Sequence, residues 1–227
     1  MGCDNDKQKE DKVKSKGLTM SYRNTNQKKD DLKLEVKIVL LGEARVGKTS
    51  IITRIIKDTF DYNCLSSSGA SFSQKVMIFE DLSTKVNFLI WDTVGQEKYR
   101  SVSKLFYRDS AIAVLVFDIT DASSFDAVKN YWLSEVRNNT GGNCILALAA
   151  NKSDLIEKAQ VSEEEIKKFA TKEGLIFKFT SALNNSGITE LFKSVGNKYL
   201  GADDETPTRE GIALNNPSNK NTKKKCC

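Results

Sequence analysis

Short apolar runs alternate with helix-like segments over the middle of the chain. Four runs rich in Val, Ile, Leu and Phe are nearly continuous in hydrophobicity, which is typical of strands buried on both faces: residues 36–42, 85–92, 111–118 and 144–151. Residues 72–79 alternate apolar and polar side chains, as an edge strand does, and the polar stretch after them could turn the chain back as an antiparallel partner of the strand at 85. Residues 175–180 are the last strand candidate.

Helical spacing of apolar residues fills the gaps between these strands. Three segments carry an apolar stripe: the one after Asp121, the one that opens with the capping-box residues Ser162 and Glu165 and ends at Gly174, and residues 188–199. The strands therefore alternate with about five helices. This order predicts an α/β fold whose six-stranded, mostly parallel, doubly wound sheet has one antiparallel strand and binds ligands at the carboxyl ends of its strands.

Polar segments flank this region. Residues 1–33 hold nine Lys/Arg, six Asp/Glu and few apolar residues, which predicts a disordered arm. Residues 201–227 contain both prolines and little that could pack, which predicts a flexible tail. Residues 34–200 form the predicted globular domain, and its 21 Lys/Arg against 20 Asp/Glu give no support to nucleic-acid binding.

The composition excludes several kinds of chemistry. The chain has no histidine, and its five cysteines form no CxxC pair, so neither a zinc site nor a disulfide framework nor a histidine-dependent triad is expected. The N-terminus is charged and polar and so lacks the apolar core of a secretory signal, and no stretch approaches the ~18 apolar residues of a membrane span, so we expect a cytosolic chain.

The sequence GEARVGKTS, residues 42–50, follows a predicted strand and opens a predicted helix. In that context the spacing indicates a phosphate-binding loop. Gly42 and Gly47 would let the backbone wrap its N–H groups around phosphates, Lys48 would reach the β- and γ-phosphates, and the Thr49 hydroxyl would bind Mg²⁺. The alternative, a glycine turn before an ordinary helix, requires the GKT to be a coincidence.

The sequence NKSD, residues 151–154, distinguishes guanine from adenine. The Asp154 carboxylate can accept two hydrogen bonds from the N1–H and amino group of guanine, a donor pair that adenine lacks, which argues against an ATP-dependent enzyme. Asn151 would tie this segment to the phosphate loop, and the Lys152 stem could lie along the purine. Residues 180–182, Thr-Ser-Ala, would offer backbone N–H groups to the guanine oxygen.

The sequence WDTVGQE, residues 91–97, ends the third strand. Asp92 is placed to hold Mg²⁺ through water, the Gly95 N–H to contact the γ-phosphate, and Gln96 to orient the attacking water. Phosphoryl transfer would then depend on positioning and electrostatics.

Together these motifs resemble those of Ras-superfamily small GTPases of the Rab family over residues 34–200. Within the Rabs, the segments GASF (69–72), KYRSVSKLFYRDS (98–110) and AVLVFDIT (113–120) are similar to the family's own, closest to the early-endocytic branch. The resemblance implies a P-loop small G domain with bound Mg²⁺ and GTP or GDP, in which Gln96 and Lys48 are catalytic and Thr49, Ser67 and Asp92 hold the metal. Phe72, Trp91 and Phe106 match the aromatic triad that Rabs present to effectors, although a lone Trp is more often core. The implied nucleotide-binding residues are Glu43, Ala44, Arg45, Val46, Gly47, Lys48, Thr49, Ser50, Phe60, Ser67, Gly95, Asn151, Lys152, Asp154, Ser181, Ala182 and Leu183.

Several positions depart from the family pattern. Ser67 aligns with the metal-binding threonine of switch I, with Ser66 or Ser68 as alternative alignments. Val94 replaces alanine and could slow the rearrangement of switch II, unless its methyl groups face solvent. Leu183 replaces a frequent lysine. Arg45 stands where relatives keep a small residue, so it could act as an arginine finger in cis or, as we favour, face the solvent and contact partners.

Both chain ends carry candidate lipidation sites. The terminal Cys226 and Cys227 resemble the Rab tail that receives two geranylgeranyl groups, and the preceding lysines would favour an anionic leaflet; the alternative is a solvated tail with free thiols. Gly2 and Cys3 suggest myristoylation and palmitoylation, although Asp6 occupies the position where the acceptor pattern has Ser or Thr.

The resemblance implies a monomeric, membrane-attached switch in vesicle traffic on the cytoplasmic face of endomembranes, with endosomes as the expected compartment and a cytosolic pool. Its expected partners are effectors of the GTP state, an exchange factor, a GTPase-activating protein, a prenylation escort and a dissociation inhibitor. The alternative is a GTP-binding scaffold with little hydrolysis, which would have no need of Gln96.

Overall fold

Six strands, five α-helices, one π-helical turn and two 3₁₀ segments, Glu80–Leu82 and Ser153–Lys158, make up the regular structure of the described residues. A computed structural model describes residues 34–62, 71–93, 108–140 and 142–202. The strands are β1 (Leu34–Leu41), β2 (Ser71–Phe79), β3 (Thr84–Asp92), β4 (Ile112–Asp118), β5 (Ile145–Asn151) and β6 (Ile176–Thr180). The helices are α1 (Lys48–Lys57), α2 (Ala122–Ala127), α3 (Leu133–Asn139), α4 (Glu163–Glu173) and α5 (Ile188–Tyr199). One of the about five helices predicted from the sequence lies between β3 and β4, mainly on residues outside these ranges.

The strands form one sheet in the order β2-β3-β1-β4-β5-β6. Only β2 and β3 are antiparallel, and the 3₁₀ turn Glu80–Leu82 joins them. The other pairs are parallel, which confirms the mixed six-stranded sheet and places the predicted edge strand at the edge. Asp118, Asn151 and Thr180 are the last residues of the parallel strands β4, β5 and β6. They are neighbours in the register, at the carboxyl ends of these strands.

Helices cover both faces of the sheet. On one face, apolar residues of α1 and α5 pack with the inward side chains of β1 and β3, among them Ile51, Phe192 and Phe88. On the other face, α2, α3 and α4 pack against β4 and β5 through residues such as Phe125 and Ile166. Residues 38–41 of β1 and all of β4 are buried on both sides, which is why their hydrophobicity is nearly continuous in the sequence.

The helix after β4 differs from the regular helix that its apolar stripe predicts. Asp121 caps α2 by accepting from the Ser123 N–H, but a π-helical turn, Val128–Trp132, separates α2 from α3. The capping box of α4 is formed in one direction: the Ser162 hydroxyl accepts from the Glu165 N–H at 3.2 Å. The Glu165 carboxylate accepts from Lys129 of the π-helical turn, so it joins two helices rather than closing the box.

Candidate functional site

The loop between β1 and α1 approaches two other strands so closely that only glycine fits. Gly42 has φ of 149°, and a Cβ there would lie 2.1 Å from the Val116 carbonyl oxygen of β4. Gly47 has φ of 96°, and a Cβ would lie 2.3 Å from the side-chain nitrogen of Asn151. The two glycines therefore hold the loop against the carboxyl ends of β4 and β5.

Lys48 opens α1 and lies beneath the loop. Its side chain is buried, and its ammonium donates to the carbonyl oxygens of Gly42 at 3.0 Å and Glu43 at 2.8 Å. Burial lowers the pKa of Lys48 to about 8, while the carboxylates of Asp92 and Glu43 act in the opposite direction. An anion bound by the loop would favour the charged ammonium, as phosphate does in the role predicted for this lysine.

Thr49 and Asp92 come together from α1 and the end of β3. The Thr49 hydroxyl donates to a carboxylate oxygen of Asp92 at 2.6 Å, and Asp92 is buried. One hydroxyl and one carboxylate form a hard-oxygen donor set of the kind that suits Mg²⁺, which takes few protein ligands and keeps several waters. The residues thus fit the predicted metal. No cluster of three or more His, Cys, Asp or Glu side chains able to hold a metal occurs in the described part of the chain.

Asn151 connects the two halves of the predicted site. Its side-chain N–H donates to the Val46 carbonyl oxygen at 2.7 Å, and its amide oxygen accepts from the Thr180 hydroxyl at 3.2 Å. All of these groups are buried. One amide therefore joins the phosphate loop to the ends of β5 and β6.

Polar contacts fix the NKSD segment further out. The Ser181 hydroxyl donates to the Asp154 carboxylate, which brings together two residues predicted to bind the base. The Lys152 ammonium pairs with Asp118 at 2.6 Å, and a second oxygen of Asp118 accepts from the Thr120 N–H and hydroxyl. Sequence reasoning missed Asp118, although its place at the end of β4 was the available signal.

A cavity of about 400 Å³ lies between the phosphate loop and the NKSD segment. This volume is within the usual range for small-molecule sites. Its lining combines predicted residues from both segments with Asp61, Tyr62 and Leu155, which the sequence did not point to. The lining residues are Arg45, Gly47, Ser50, Phe60, Asp61, Tyr62, Asn151, Lys152, Asp154, Leu155, Ala182 and Leu183.

Arg45 is exposed at the rim of this cavity. Its φ of 66° is in the left-handed region, and the neighbouring Ala44 is exposed as well. Within the described ranges its guanidinium makes no ion pair. This placement agrees with the expected solvent-facing side chain and leaves the predicted nucleotide contact untested.

The indole of Trp132, in the π-helical turn, contacts the phosphate loop through Glu43. The Trp132 N–H donates to a carboxylate oxygen of Glu43 at 3.1 Å, and Trp132 is buried. The extra residue of a π turn shifts the side chains that follow it around the helix, and such turns are frequent at functional sites. Nothing in the local sequence revealed this contact.

Two of the three predicted effector-facing aromatic residues meet on the β2–β3 hairpin. Phe72 and Trp91 face each other in the register, with ring centroids 5.2 Å apart. Phe72 is 47% exposed, Trp91 is partly exposed, and the Lys37 ammonium lies 5.5 Å from the Trp91 ring centroid. Trp91 is thus not a fully buried core residue.

The remaining predicted functional positions lie outside the described residues and stay predictions. They are Gly2, Cys3, Ser67, Val94, Gly95, Gln96, Phe106, Cys226 and Cys227.

Comparison with known proteins agrees with this geometry. The family model of the Ras family matches residues 37–200. Human Ras-related protein Rab-22A is 39% identical over 194 residues, covering 85% of this chain and 98% of the relative. Ras-related protein Rab5A of Oryza sativa subsp. japonica is 38% identical over 79% of this chain and 87% of its own length, and Ras-related protein Rab11A of Lotus japonicus is 37% identical over 78% and 81%. The chain therefore belongs to the Ras family and, within it, to the Rab small GTPases, enzymes that hydrolyse GTP to GDP.

Proposed function

We propose that this GTPase binds GTP and GDP in the cavity between the phosphate loop and the NKSD segment, and acts as a membrane-attached switch in endosomal traffic. The observation that carries the binding proposal is the buried Asn151 amide, which fixes the distance between the phosphate half and the base half of the site. The family assignment supports the same nucleotide.

Guanine selection follows from the chemistry of the base half. Each carboxylate oxygen has two acceptor sites, so Asp154 could accept from the N1–H and amino group of guanine while one of its oxygens also accepts from Ser181. Phe60 and Leu183 line the same cavity, where they would contact the faces of the base, and the backbone N–H groups after Ser181 would contact its 6-oxo group.

Hydrolysis follows from the phosphate half. Lys48 and the loop N–H groups would hold the negative charge of the β- and γ-phosphates, and Gln96 would orient the attacking water. Thr49, Asp92 and Ser67 would hold Mg²⁺, which when bound neutralises charge on the phosphate oxygens. The exposed Phe72 and Trp91, with Phe106, would contact effectors of the GTP state.

The cellular role rests on the relatives and on the chain ends. Similarity to Rab-22A and Rab5A supports endosomal association, and the family implies effectors and regulators as partners. Geranylgeranylation of Cys226 and Cys227 would hold the protein on the cytoplasmic leaflet and create the need for an escort and a dissociation inhibitor. Lipidation of Gly2 and Cys3 would add a second anchor.

Nucleotide identification with single-turnover hydrolysis tests this function. The purified protein should carry GDP or GTP, and loaded GTP should decay in the presence of Mg²⁺. Gln96→Leu should retain binding and slow the decay at least about tenfold, because the attacking water loses its orienting group. Bound GTP that decays in neither protein would favour a non-hydrolysing scaffold, and absence of any guanine nucleotide would refute the proposal.

A further inference from the structure

Arg54 holds three backbone carbonyl groups from outside the cavity. It lies in the last turns of α1, and its side chain is 12% exposed. Its guanidinium donates to the carbonyl oxygens of Ala182 at 2.8 Å, Leu183 at 2.9 Å and Asp58 at 2.8 Å. Two of these carbonyls belong to the loop that follows β6, and the third precedes Phe60 by two residues.

Asp58, which Arg54 contacts, also accepts a hydrogen bond from Asn185 in the loop after β6. Asp58 has φ of 54° and Asn185 has φ of 62°, both left-handed. The Asp58 carboxylate accepts from Arg54 at 3.3 Å and from the Asn185 side chain at 2.9 Å. Arg54, Asp58 and Asn185 therefore form one polar cluster that joins the end of α1 to the loop after β6.

Carbonyl direction fixes N–H direction in the same peptide unit. In a trans peptide the C=O and N–H groups point to opposite sides. The chain has no cis peptide bond in its described part, so the Ala182 carbonyl held by Arg54 directs the Leu183 N–H away from Arg54. Ala182 and Leu183 both line the cavity, whereas Arg54 does not.

We propose that Arg54 is a positioning residue for base recognition, which aims the backbone N–H of Leu183 at the 6-oxo group of a bound guanine without touching the nucleotide. This inference rests on the proposed function. It also places both halves of recognition on one helix, because Lys48 and Thr49 at the start of α1 are only about 9 Å along the axis from Arg54.

The alternative is that Arg54 only stabilises the fold, and a pair of nucleotides separates the two roles. GDP and 6-thio-GDP present the same N1–H and amino group to Asp154, but sulfur is a much weaker acceptor for the loop N–H groups. Wild-type protein should therefore release 6-thio-GDP faster than GDP. Arg54→Gln should accelerate GDP release by about tenfold or more, the equivalent of one good hydrogen bond, and should reduce the preference for GDP over 6-thio-GDP.

Two further variants guard against loss of folding and against nonspecific effects. Arg54→Lys keeps the charge and the aliphatic stem but cannot span the three carbonyls with one ammonium, so it should fold and show an intermediate preference. Arg137→Gln is the matched control, because Arg137 also donates to a carboxylate and a backbone carbonyl, both of Glu173, far from the cavity. It should leave both release rates unchanged.

The outcomes are distinguishable. Equal acceleration of GDP and 6-thio-GDP release by both Arg54 substitutions would overturn the positioning role and leave the proposed function standing. Wild-type protein with no preference between the two nucleotides would do the same. Failure of wild-type protein to retain any guanine nucleotide would overturn the proposed function, and the positioning role with it.

Discussion

The side-chain nitrogen of Asn151 lies 2.7 Å from the carbonyl oxygen of Val46, although the two residues are 105 positions apart in the chain. The same amide nitrogen occupies the place where any side chain on Gly47 would have to go. The phosphate loop and the NKSD segment are thus in direct contact, so a substitution in one segment should change the position of the other.

Asn151→Ala should therefore weaken nucleotide retention. It removes the hydrogen bonds to Val46 and Thr180 and leaves the buried Val46 carbonyl without this donor. We expect GDP to dissociate about 10 to 100 times faster, from the usual cost of a lost buried hydrogen bond. A stopped-flow displacement assay measures the rate.

Asn139→Ala is the matched control, because the Asn139 amide donates to the Glu135 carbonyl on α3, remote from the cavity. It should leave GDP release unchanged. If Asn151→Ala lowered the melting temperature but released GDP at the wild-type rate, the joint between the two segments would have no role in binding.

Thr49→Val should remove the response to metal chelation. The substitution keeps the shape of the side chain but deletes the hydroxyl that contacts Asp92. We expect Mg²⁺ affinity to fall by at least about tenfold, because even loss of an outer-shell partner has that effect. EDTA should accelerate GDP release from wild-type protein and have little further effect on the variant.

Thr140→Val serves as its control, since the Thr140 hydroxyl donates to the Val136 carbonyl at the end of α3, and neither residue is part of the predicted metal site. It should respond to EDTA as wild type does. An equal response of Thr49→Val and wild type to EDTA would exclude this hydroxyl from the metal site.

The sheet was predictable because the apolar pattern of each strand reflects how much of it is buried. The nearly continuous apolar runs of β1 and β4, and the alternation of β2 at the edge, follow directly from where each strand lies. Short motifs likewise indicated Asn151, Asp154 and Lys48, since the residue types and spacing within each motif are those that a guanine nucleotide requires. The family comparison confirms the fold and the class of enzyme.

Contacts between distant elements were not predictable. Trp132, which donates to Glu43, lies in a π-helical turn, and a periodicity of 3.6 cannot show the shift in side-chain direction that such a turn introduces. Arg54 was similarly hidden, because it acts on backbone carbonyl groups, which leave no trace in the identity of the residues that carry them.

Cys144 should make the protein less stable in alkaline solution. Burial raises the pKa of its thiol from 9.0 to about 11. Between these two pKa values the unfolded chain loses the thiol proton while the folded chain keeps it. The contribution of the neutral thiol to the free energy of unfolding is therefore complete below pH 9 and is lost as the pH rises to 11. Allowing for partial exposure of the side chain, we expect about 1 kcal/mol.

The comparison of wild type with Cys144→Ala isolates this effect from other titrating groups. Free energies of unfolding from urea titrations at pH 8, 9, 10 and 11 should converge for the two proteins as the pH rises. A constant difference across this range would show that the thiol ionises equally easily in both states.

The backbone conformation of Arg45 should affect stability, whereas its exposed side chain should not affect GTP hydrolysis. Its left-handed backbone suits glycine, and a side chain there costs about 1 kcal/mol, so Arg45→Gly should be more stable than Arg45→Ala by roughly that amount. Because the guanidinium is exposed at the rim, neither substitution should change single-turnover GTP hydrolysis by more than about threefold. Thermal melts and quenched-flow hydrolysis measure the two effects independently. A hundredfold loss of hydrolysis in both variants, with nucleotide affinity retained, would instead identify Arg45 as an arginine finger acting in cis, whose removal costs about 10³ to 10⁵ in rate at full effect.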